Sequence, residues 1–227
     1  MLSTFFSLST FLYLHSFIAM GFPSFTYRQL FVHPTQIPKT ISLKEQVSII
    51  IGANSGIGLE AARQCVPLEA ALVIFTVRSL PKGEVAKADV LKTNPTSKTK
   101  VEVWHLDMES YDSVLAFGKR AQELPCLDIA MLNAACFKCE FETSPSTGNE
   151  SSLQVNHLST ALLSLLLLPV LKKTSLTLKR PTRLTLTSSE IHLWTPFKEQ
   201  NADKILARLN DKEFFGDLWI DTASPNS

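Results

Sequence analysis

The sequence predicts a doubly wound α/β domain built on a parallel sheet. Three observations predict it. Short apolar runs alternate with helical segments, a glycine-rich turn separates the first run from the first helix, and 227 residues with 45% apolar content can bury one sizeable core. We therefore expect a single domain from about residue 43 to residue 227.

Five strands and four helices are predicted in regular alternation. The first strand, 47–51, is a continuous apolar run that ends at Gly52, and helix 57–65 follows the glycine turn. Segment 151–172 is helical and apolar on nearly all sides, but its run 161–171 is shorter than a membrane span, which favours a helix buried between layers. The other predicted elements are strands 71–77, 101–106, 127–132 and 183–187 and helices 84–92 and 110–124.

The N-terminal segments differ from the domain in composition. Residues 1–20 are rich in Phe, Leu, Ser and Thr and contain no Lys, Arg, Asp or Glu. This pattern is compatible with a membrane anchor or with a signal peptide, although the basic residues that begin a signal are missing. Residues 21–42 carry three prolines and no steady period, which predicts an irregular arm before the domain.

Charge and cysteine content exclude several classes of protein. The 22 basic and 21 acidic residues give a net charge of +1 and form no basic stripe, so nucleic acid is not an expected partner. The 4 cysteines are too few for a disulfide framework, which favours a reducing, cytoplasmic compartment. Cys136 and Cys139 form a C-x-x-C pair, but no second pair follows, so no metal site is predicted.

A glycine-rich loop, Gly-Ala-Asn-Ser-Gly-Ile-Gly, joins the first strand to the first helix. In this context the glycines let the backbone turn tightly and approach a pyrophosphate, while the helix N-terminus supplies N–H groups and a positive dipole end. A plain turn remains the alternative. The loop residues predicted to bind a dinucleotide are Gly52, Asn54, Ser55, Gly56, Ile57 and Gly58.

Arg78 follows the second predicted strand and indicates which dinucleotide is bound. Binders that prefer NAD usually carry an acid there for the ribose 2′-OH, whereas an Arg accommodates the 2′-phosphate of NADP. The sequence therefore predicts NADP, and Lys82 adds to the positive field. A solvated surface charge is the alternative for both residues.

The spacing G-x-x-x-G-x-G resembles the short-chain dehydrogenase/reductase family, in particular its fungal, retinol-dehydrogenase-like members, over about residues 43–215. The resemblance implies a Rossmann-type sheet and an oxidoreductase. Asp107, after the third strand, looks like the residue that contacts the adenine ring, with a helix N-cap as the alternative. Asn133-Ala134-Ala135 is similar to the family's Asn-Ala-Gly, in which the asparagine steadies the sheet beside the cofactor.

The resemblance also implies two catalytic residues. Asn156 looks like the helix asparagine that helps hold a water in a proton relay, with an amide satisfied by neighbouring backbone as the alternative. Ser189 resembles the catalytic serine, whose hydroxyl hydrogen-bonds the substrate oxygen, and Ser188 is the fallback.

The family's Tyr-x-x-x-Lys pair is expected beyond Ser189 but is absent from the sequence. We therefore expect a C-terminally truncated member that lacks the Tyr/Lys helix and the last family strands, leaves strand 183–187 unpaired on one side and does not form the family's homo-oligomer. The tyrosines are Tyr13, Tyr27 and Tyr111, and the residues four positions later are Phe17, Phe31 and Leu115.

These observations lead to a functional expectation. The chain is predicted to be an NADP-dependent oxidoreductase that acts on an alcohol or carbonyl of a small lipophilic, secondary-metabolite-like substrate. The alternatives are a non-catalytic NADP-binding protein and a non-functional remnant. A cytoplasmic location is expected, with membrane association through residues 1–20 as the alternative, unless translation begins at Met20, where the sequence looks like the usual opening of fungal members.

Overall fold

The chain divides into two units, each described by itself. The larger comprises residues 40–187 and 201–227, and the smaller comprises residues 1–39 and 188–200. In the smaller unit residues 24–31 are helical, and the rings of Tyr27 and Phe31 lie 5.3 Å apart between centroids. A computed structural model describes residues 24–33, 35, 37–38, 40–189 and 197–215.

The larger unit contains a five-stranded sheet in which all pairings are parallel, in the order β3-β2-β1-β4-β5. The predicted doubly wound fold is confirmed. The chain proceeds outward from β1 to β3 and then crosses to β4 on the other side of β1, so the strand order reverses between β1 and β4. The strands are β1 Val47–Ile51, β2 Leu72–Val77, β3 Lys100–His105, β4 Ile129–Leu132 and β5 Arg183–Leu186.

Helices follow the strands as predicted, with one early start. The second helix begins at Leu80 rather than at residue 84, because a proline occupies its first turn, where the missing N–H removes no intrahelical bond. The helices are α1 Gly56–Cys65, α2 Leu80–Lys92, α3 Tyr111–Gln122, α4 Ser151–Leu178 and α5 Ile205–Leu209, and a short 3₁₀ helix spans Lys198–Asn201.

Helix α4 is longer than predicted and is buried on one face only. It continues past residue 172 and ends where Lys179 adopts a left-handed conformation with φ 50°. Leu163 and Leu167 are fully buried, whereas Leu165 is 65% exposed, so the expected burial between layers holds for one side. Length and composition alone would let this helix cross a membrane, but its inner face packs on α3 and the sheet as a core helix does.

The core lies on both faces of the sheet. Ile49 and Ile51 of β1 point to a cluster formed with α3 and α4, while Ile50 points to a second cluster formed with α1 and α2. Alternating side chains of one strand therefore serve both layers, as expected for a strand covered on both sides. Phe75 of β2 is the largest fully buried side chain.

An ion pair fixes the amino-terminal end of the sheet. The carboxylate of Asp128, which is 1% exposed, accepts hydrogen bonds from the Val47 N–H at 2.9 Å and from Arg180 Nε at 2.6 Å. Arg180 also donates to the Glu45 carbonyl at 3.0 Å. These contacts connect the turn after α4 to β1 and to the residue before β4. They lie at the amino-terminal edge of the sheet and leave the carboxyl-terminal edge uncovered by this ion pair.

Candidate cofactor site at the carboxyl ends of the strands

A cavity of about 690 Å³ lies at the carboxyl ends of the strands, where the strand order reverses. Open α/β sheets bind their ligands at such a switch point. The structure brings together most of the residues predicted from the sequence to bind a dinucleotide. Those that line the cavity are Gly52, Asn54, Ser55, Gly56, Ile57, Arg78, Asp107 and Asn133.

Two glycines make the loop possible. Gly52 has φ 80°, and a Cβ there would lie 3.0 Å from the Ala134 Cα. Gly58 does not line the cavity, because it lies beneath the loop, where a Cβ would be 2.3 Å from the Gly52 carbonyl oxygen and 2.8 Å from Asn133 Nδ2. Neither position accepts a side chain without moving backbone, so the loop packs directly on the end of β4.

The first turn of α1 faces the cavity and fits a pyrophosphate. Ser55 is the N-cap residue in extended conformation, and its side chain makes no capping hydrogen bond. A Cβ on Gly56 would meet nothing within 4 Å. The first N–H groups of a helix have no intrahelical partner and carry the positive end of the dipole, so this open turn has the chemistry that binds an anion.

Arg78 extends from the end of β2 and forms an ion pair. Its Nη1 lies 3.1 Å from Glu109 Oε2, and its side chain is 72% exposed while that of Glu109 is 20% exposed. Both residues line the cavity. Lys82, in contrast, is exposed on α2 and is not among the lining residues.

Asp107 organises the turn between β3 and α3. Its N–H donates to Ser113 Oγ at 2.9 Å, and its Oδ1 accepts from the Glu109 N–H at 3.0 Å. The N-cap of α3 is Ser110, which accepts from the Ser113 N–H, so the alternative of Asp107 as the N-cap is wrong. Asp107 Oδ1 thus fixes the backbone of Glu109, the partner of Arg78.

Asn133 connects the glycine loop with the end of β5. Its Oδ1 accepts from Thr187 Oγ1 at 3.2 Å, its N–H donates to the Ile51 carbonyl at 3.3 Å, and its Nδ2 lies above Gly58. Thr187 lines the cavity as well. One side chain therefore sets the relative positions of β1, β4 and β5 at this edge.

Asn156 lies in a π-helical turn of α4, Gln154–Ser159. Its Oδ1 accepts from the Cys136 N–H at 2.9 Å and its Nδ2 donates to the Cys136 carbonyl at 2.7 Å. The side chain is not among the cavity-lining residues. Its amide is thus satisfied by backbone and fixes the segment after β4 to the π turn. Such turns occur frequently at functional sites.

A buried polar network supports this turn. Gln154 is fully buried, and its Oε1 accepts from Thr147 Oγ1 at 2.9 Å and from Asn149 Nδ2 at 2.7 Å. Its Nε2 donates to Ser159 Oγ at 2.8 Å, and Ser159 Oγ donates to the Met108 carbonyl at 2.5 Å. Because buried amides require partners, the network holds α4 in register with the turn after β3.

Ser188 and Ser189 lie two and three residues after the end of β5 and belong to the smaller unit, where both are exposed. They are not among the cavity-lining residues, in contrast to Thr187. The cavity therefore brings together eight of the ten residues predicted to bind the cofactor, all of them in the larger unit.

Several lining residues were not predicted from the sequence. They include Glu109, which follows β3, and Cys136 and Lys138, which follow β4. Their position after the ends of strands is the sequence signal that could have indicated their place at the cavity. Burial raises the pKa of the Cys136 thiol above its ordinary value, and the negative charges of Glu109 and Glu150 add to the increase. Cys136 and Cys139 are free thiols, and the described residues contain no cluster that could hold a metal.

The fold and the cavity define a class, the dinucleotide-binding α/β domains. Residues 46–177 match the family model described as short chain dehydrogenase. The short chain dehydrogenase sol3 of Alternaria solani is 46% identical over 195 residues, which are 86% of this chain and 67% of that protein. The short-chain dehydrogenase fogG of Aspergillus ruber is 40% identical over 187 residues, 82% of this chain and 53% of that protein. The chain belongs to the short chain dehydrogenase family.

Solved structures agree on the fold. A short-chain dehydrogenase from Sphingobium yanoikuyae in complex with NADPH superposes with a TM-score of 0.55 at 18% identity, over 75% of this chain and 61% of that one. The Pseudomonas aeruginosa RhlG/NADP active-site complex superposes with a TM-score of 0.54 at 20% identity, over 80% of this chain and 67% of that one. The chain spans roughly half to two thirds of the length of the curated relatives described above.

Proposed function

We propose that the chain forms the cofactor-binding part of an NADP-dependent oxidoreductase that interconverts an alcohol and a carbonyl group. One observation carries the proposal: the open first turn of α1 and the guanidinium of Arg78 line the same cavity at the strand switch point. This combination provides an anion site for the pyrophosphate and a cation for the ribose 2′-phosphate.

The residues predicted to bind the cofactor have distinct roles in the proposal. The backbone of the glycine loop, with Asn54, Ser55 and Ile57, binds the pyrophosphate. Arg78 pairs with the 2′-phosphate, and Lys82 adds positive potential from α2. Asp107 accepts a hydrogen bond from the adenine amino group, and Asn133 holds the loop against β4. Family membership and the NADPH and NADP complexes of structurally similar proteins support this assignment.

The catalytic roles follow from the family pattern. The chemistry that bound NADP would supply is hydride exchange between its nicotinamide and the substrate carbon. Ser189 donates a hydrogen bond to the substrate oxygen, where negative charge develops. Asn156 acts from the π turn that its side chain fixes to Cys136 and helps hold a water for proton transfer. The substrate we propose is a small lipophilic alcohol or carbonyl compound of secondary-metabolite type, consistent with the fungal relatives.

A second candidate is a protein that binds NADP without turning it over. Within the 227 residues no tyrosine is followed four positions later by a lysine, the pattern that supplies the family's proton donor. NADPH oxidation in the presence of a panel of aliphatic and aromatic carbonyl compounds separates the candidates. A steady rate supports the oxidoreductase, whereas binding without oxidation supports the second candidate.

The test of the cofactor assignment is Arg78→Gln. We expect the Kd for NADPH to rise about 30-fold, because a charge-assisted contact of about 2 kcal/mol is lost, while the Kd for NADH changes less than about twofold. Fluorescence titration of both cofactors measures this. Arg63→Gln is the matched control, because Arg63 pairs with Asp89 at 2.7 Å and does not line the cavity. Equal losses for NADPH and NADH would contradict the role of Arg78.

The proposed location is the cytoplasm, which fits four free thiols and the proposed use of NADP. Membrane association through the uncharged residues 1–20 is the competing proposal. Fractionation of cells that express the full chain, compared with a chain begun at Met20, distinguishes them. Recovery of only the full chain in the membrane fraction would establish anchoring by residues 1–20.

A further inference from the structure

We propose that Glu109 determines cofactor selectivity, lowering the preference for NADPH over NADH by competing with the 2′-phosphate for Arg78. The inference rests on the proposed cofactor function and concerns a residue outside the glycine loop. Its basis is that a carboxylate and a guanidinium, the two groups by which dinucleotide sites distinguish NAD from NADP, occur together in this cavity.

The backbone of Glu109 is held in place, and its side chain is the more buried member of the pair. The Glu109 N–H donates to Asp107 Oδ1 at 3.0 Å, and the Glu109 carbonyl accepts from Ser144 Oγ at 2.6 Å. Its side chain is 20% exposed, whereas that of Arg78 is 72% exposed. The exposed Arg78 side chain therefore has more room to turn toward a ligand than the largely buried side chain of Glu109.

The charges determine the direction of the effect. A 2′-phosphate that approaches Arg78 must share or break the contact with Glu109, and it is repelled by the nearby carboxylate. The ribose 2′-OH of NAD is neutral, so the Arg78–Glu109 pair can persist when NAD binds. Glu109 therefore weakens the binding of NADPH but not of NADH, and it reduces the difference in affinity between the two cofactors.

The experiment is Glu109→Gln, which keeps the size of the side chain and removes its charge. We expect the Kd for NADPH to fall about tenfold and the Kd for NADH to change less than about twofold, in titrations at one fixed ionic strength. Asp89→Asn is the matched control, because it removes an Arg-paired carboxylate outside the cavity and should change neither constant. In the Arg78→Gln background, Glu109→Gln should have a smaller effect, since the contested guanidinium is gone and only the direct repulsion of the phosphate remains to be relieved.

The outcomes separate this inference from the cofactor assignment. If Glu109→Gln weakens NADPH binding, the carboxylate serves to orient Arg78, and the inference is overturned. If both cofactors change by the same factor, Glu109 has no selective role, and the inference again fails. If the folded wild-type chain binds neither cofactor, the proposed function itself fails. Circular dichroism and a second variant, Glu109→Ser, show whether a change reflects misfolding.

Discussion

Strands β1 and β5 belong to the same sheet, yet their burial is opposite. All five residues of β1 are buried, whereas Arg183, Thr185 and Leu186 of β5 are exposed. Among the described residues β5 pairs only with β4, while β1 has a strand on each side. The contrast shows that the residues proposed to bind the cofactor come from elements fixed by a buried core, whereas the proposed substrate-binding serine follows an exposed edge strand.

The two faces of α4 show the same contrast between buried and exposed residues. Its inner face closes the core over β1 and β4, and its outer face carries exposed leucines. A shallow groove of about 360 Å³ lies beside β5, lined in part by Leu168, Leu176 and Leu184. The stability of the domain should therefore depend on one face of this helix and hardly on the other.

The largest expected effect is on folding. Leu163→Ala should lower the free energy of unfolding by about 3 kcal/mol, because it removes a fully buried side chain and leaves a cavity. Leu165→Ala, two positions along the same helix, should change it by less than about 0.5 kcal/mol. Urea unfolding of both variants measures the difference. Similar losses of unfolding free energy in the two variants would show that the outer face of α4 is packed as well, and would contradict the difference between its two faces.

A smaller effect is expected in the glycine loop. Gly58→Ala should destabilise the domain by about 2 kcal/mol, because the added Cβ would lie 2.3 Å from the Gly52 carbonyl oxygen and the backbone must shift. Gly56→Ala is the control, since a Cβ there meets nothing and only the left-handed conformation costs about 1 kcal/mol. Thermal unfolding compares the two. A larger loss at Gly56 would contradict the packing of the loop on β4.

The fold and part of the cavity could be predicted from the sequence, because they depend on local patterns. Apolar runs predicted the strands, the glycine spacing predicted the loop, and the position of Arg78 after a strand predicted its place at the cavity. The ion pair with Glu109 could not be predicted, because it joins residues 31 positions apart through the sheet. The π turn at Asn156 had no sequence signal, since it is fixed by backbone contacts to Cys136.

Two features of the helices differ from the prediction, for different reasons. The predicted start of α2 at residue 84 is four residues late, because the helix includes a proline in its first turn, where proline is tolerated. The burial of α4 was overestimated because an apolar composition does not show which face has a partner. The first difference has a local cause, whereas tertiary packing decides the second.

The measurement that tests the central claim most directly is protection of thiols by cofactor. Cys136 lines the cavity, whereas Cys139 is exposed and is not among the lining residues. We predict that NADPH slows maleimide labelling of Cys136 by more than about tenfold and leaves Cys139 unchanged, as read by peptide mass spectrometry. The raised pKa of Cys136 makes its labelling slow at neutral pH, so the comparison is best made above pH 8. Equal labelling of Cys136 with and without saturating NADPH would contradict binding in this cavity.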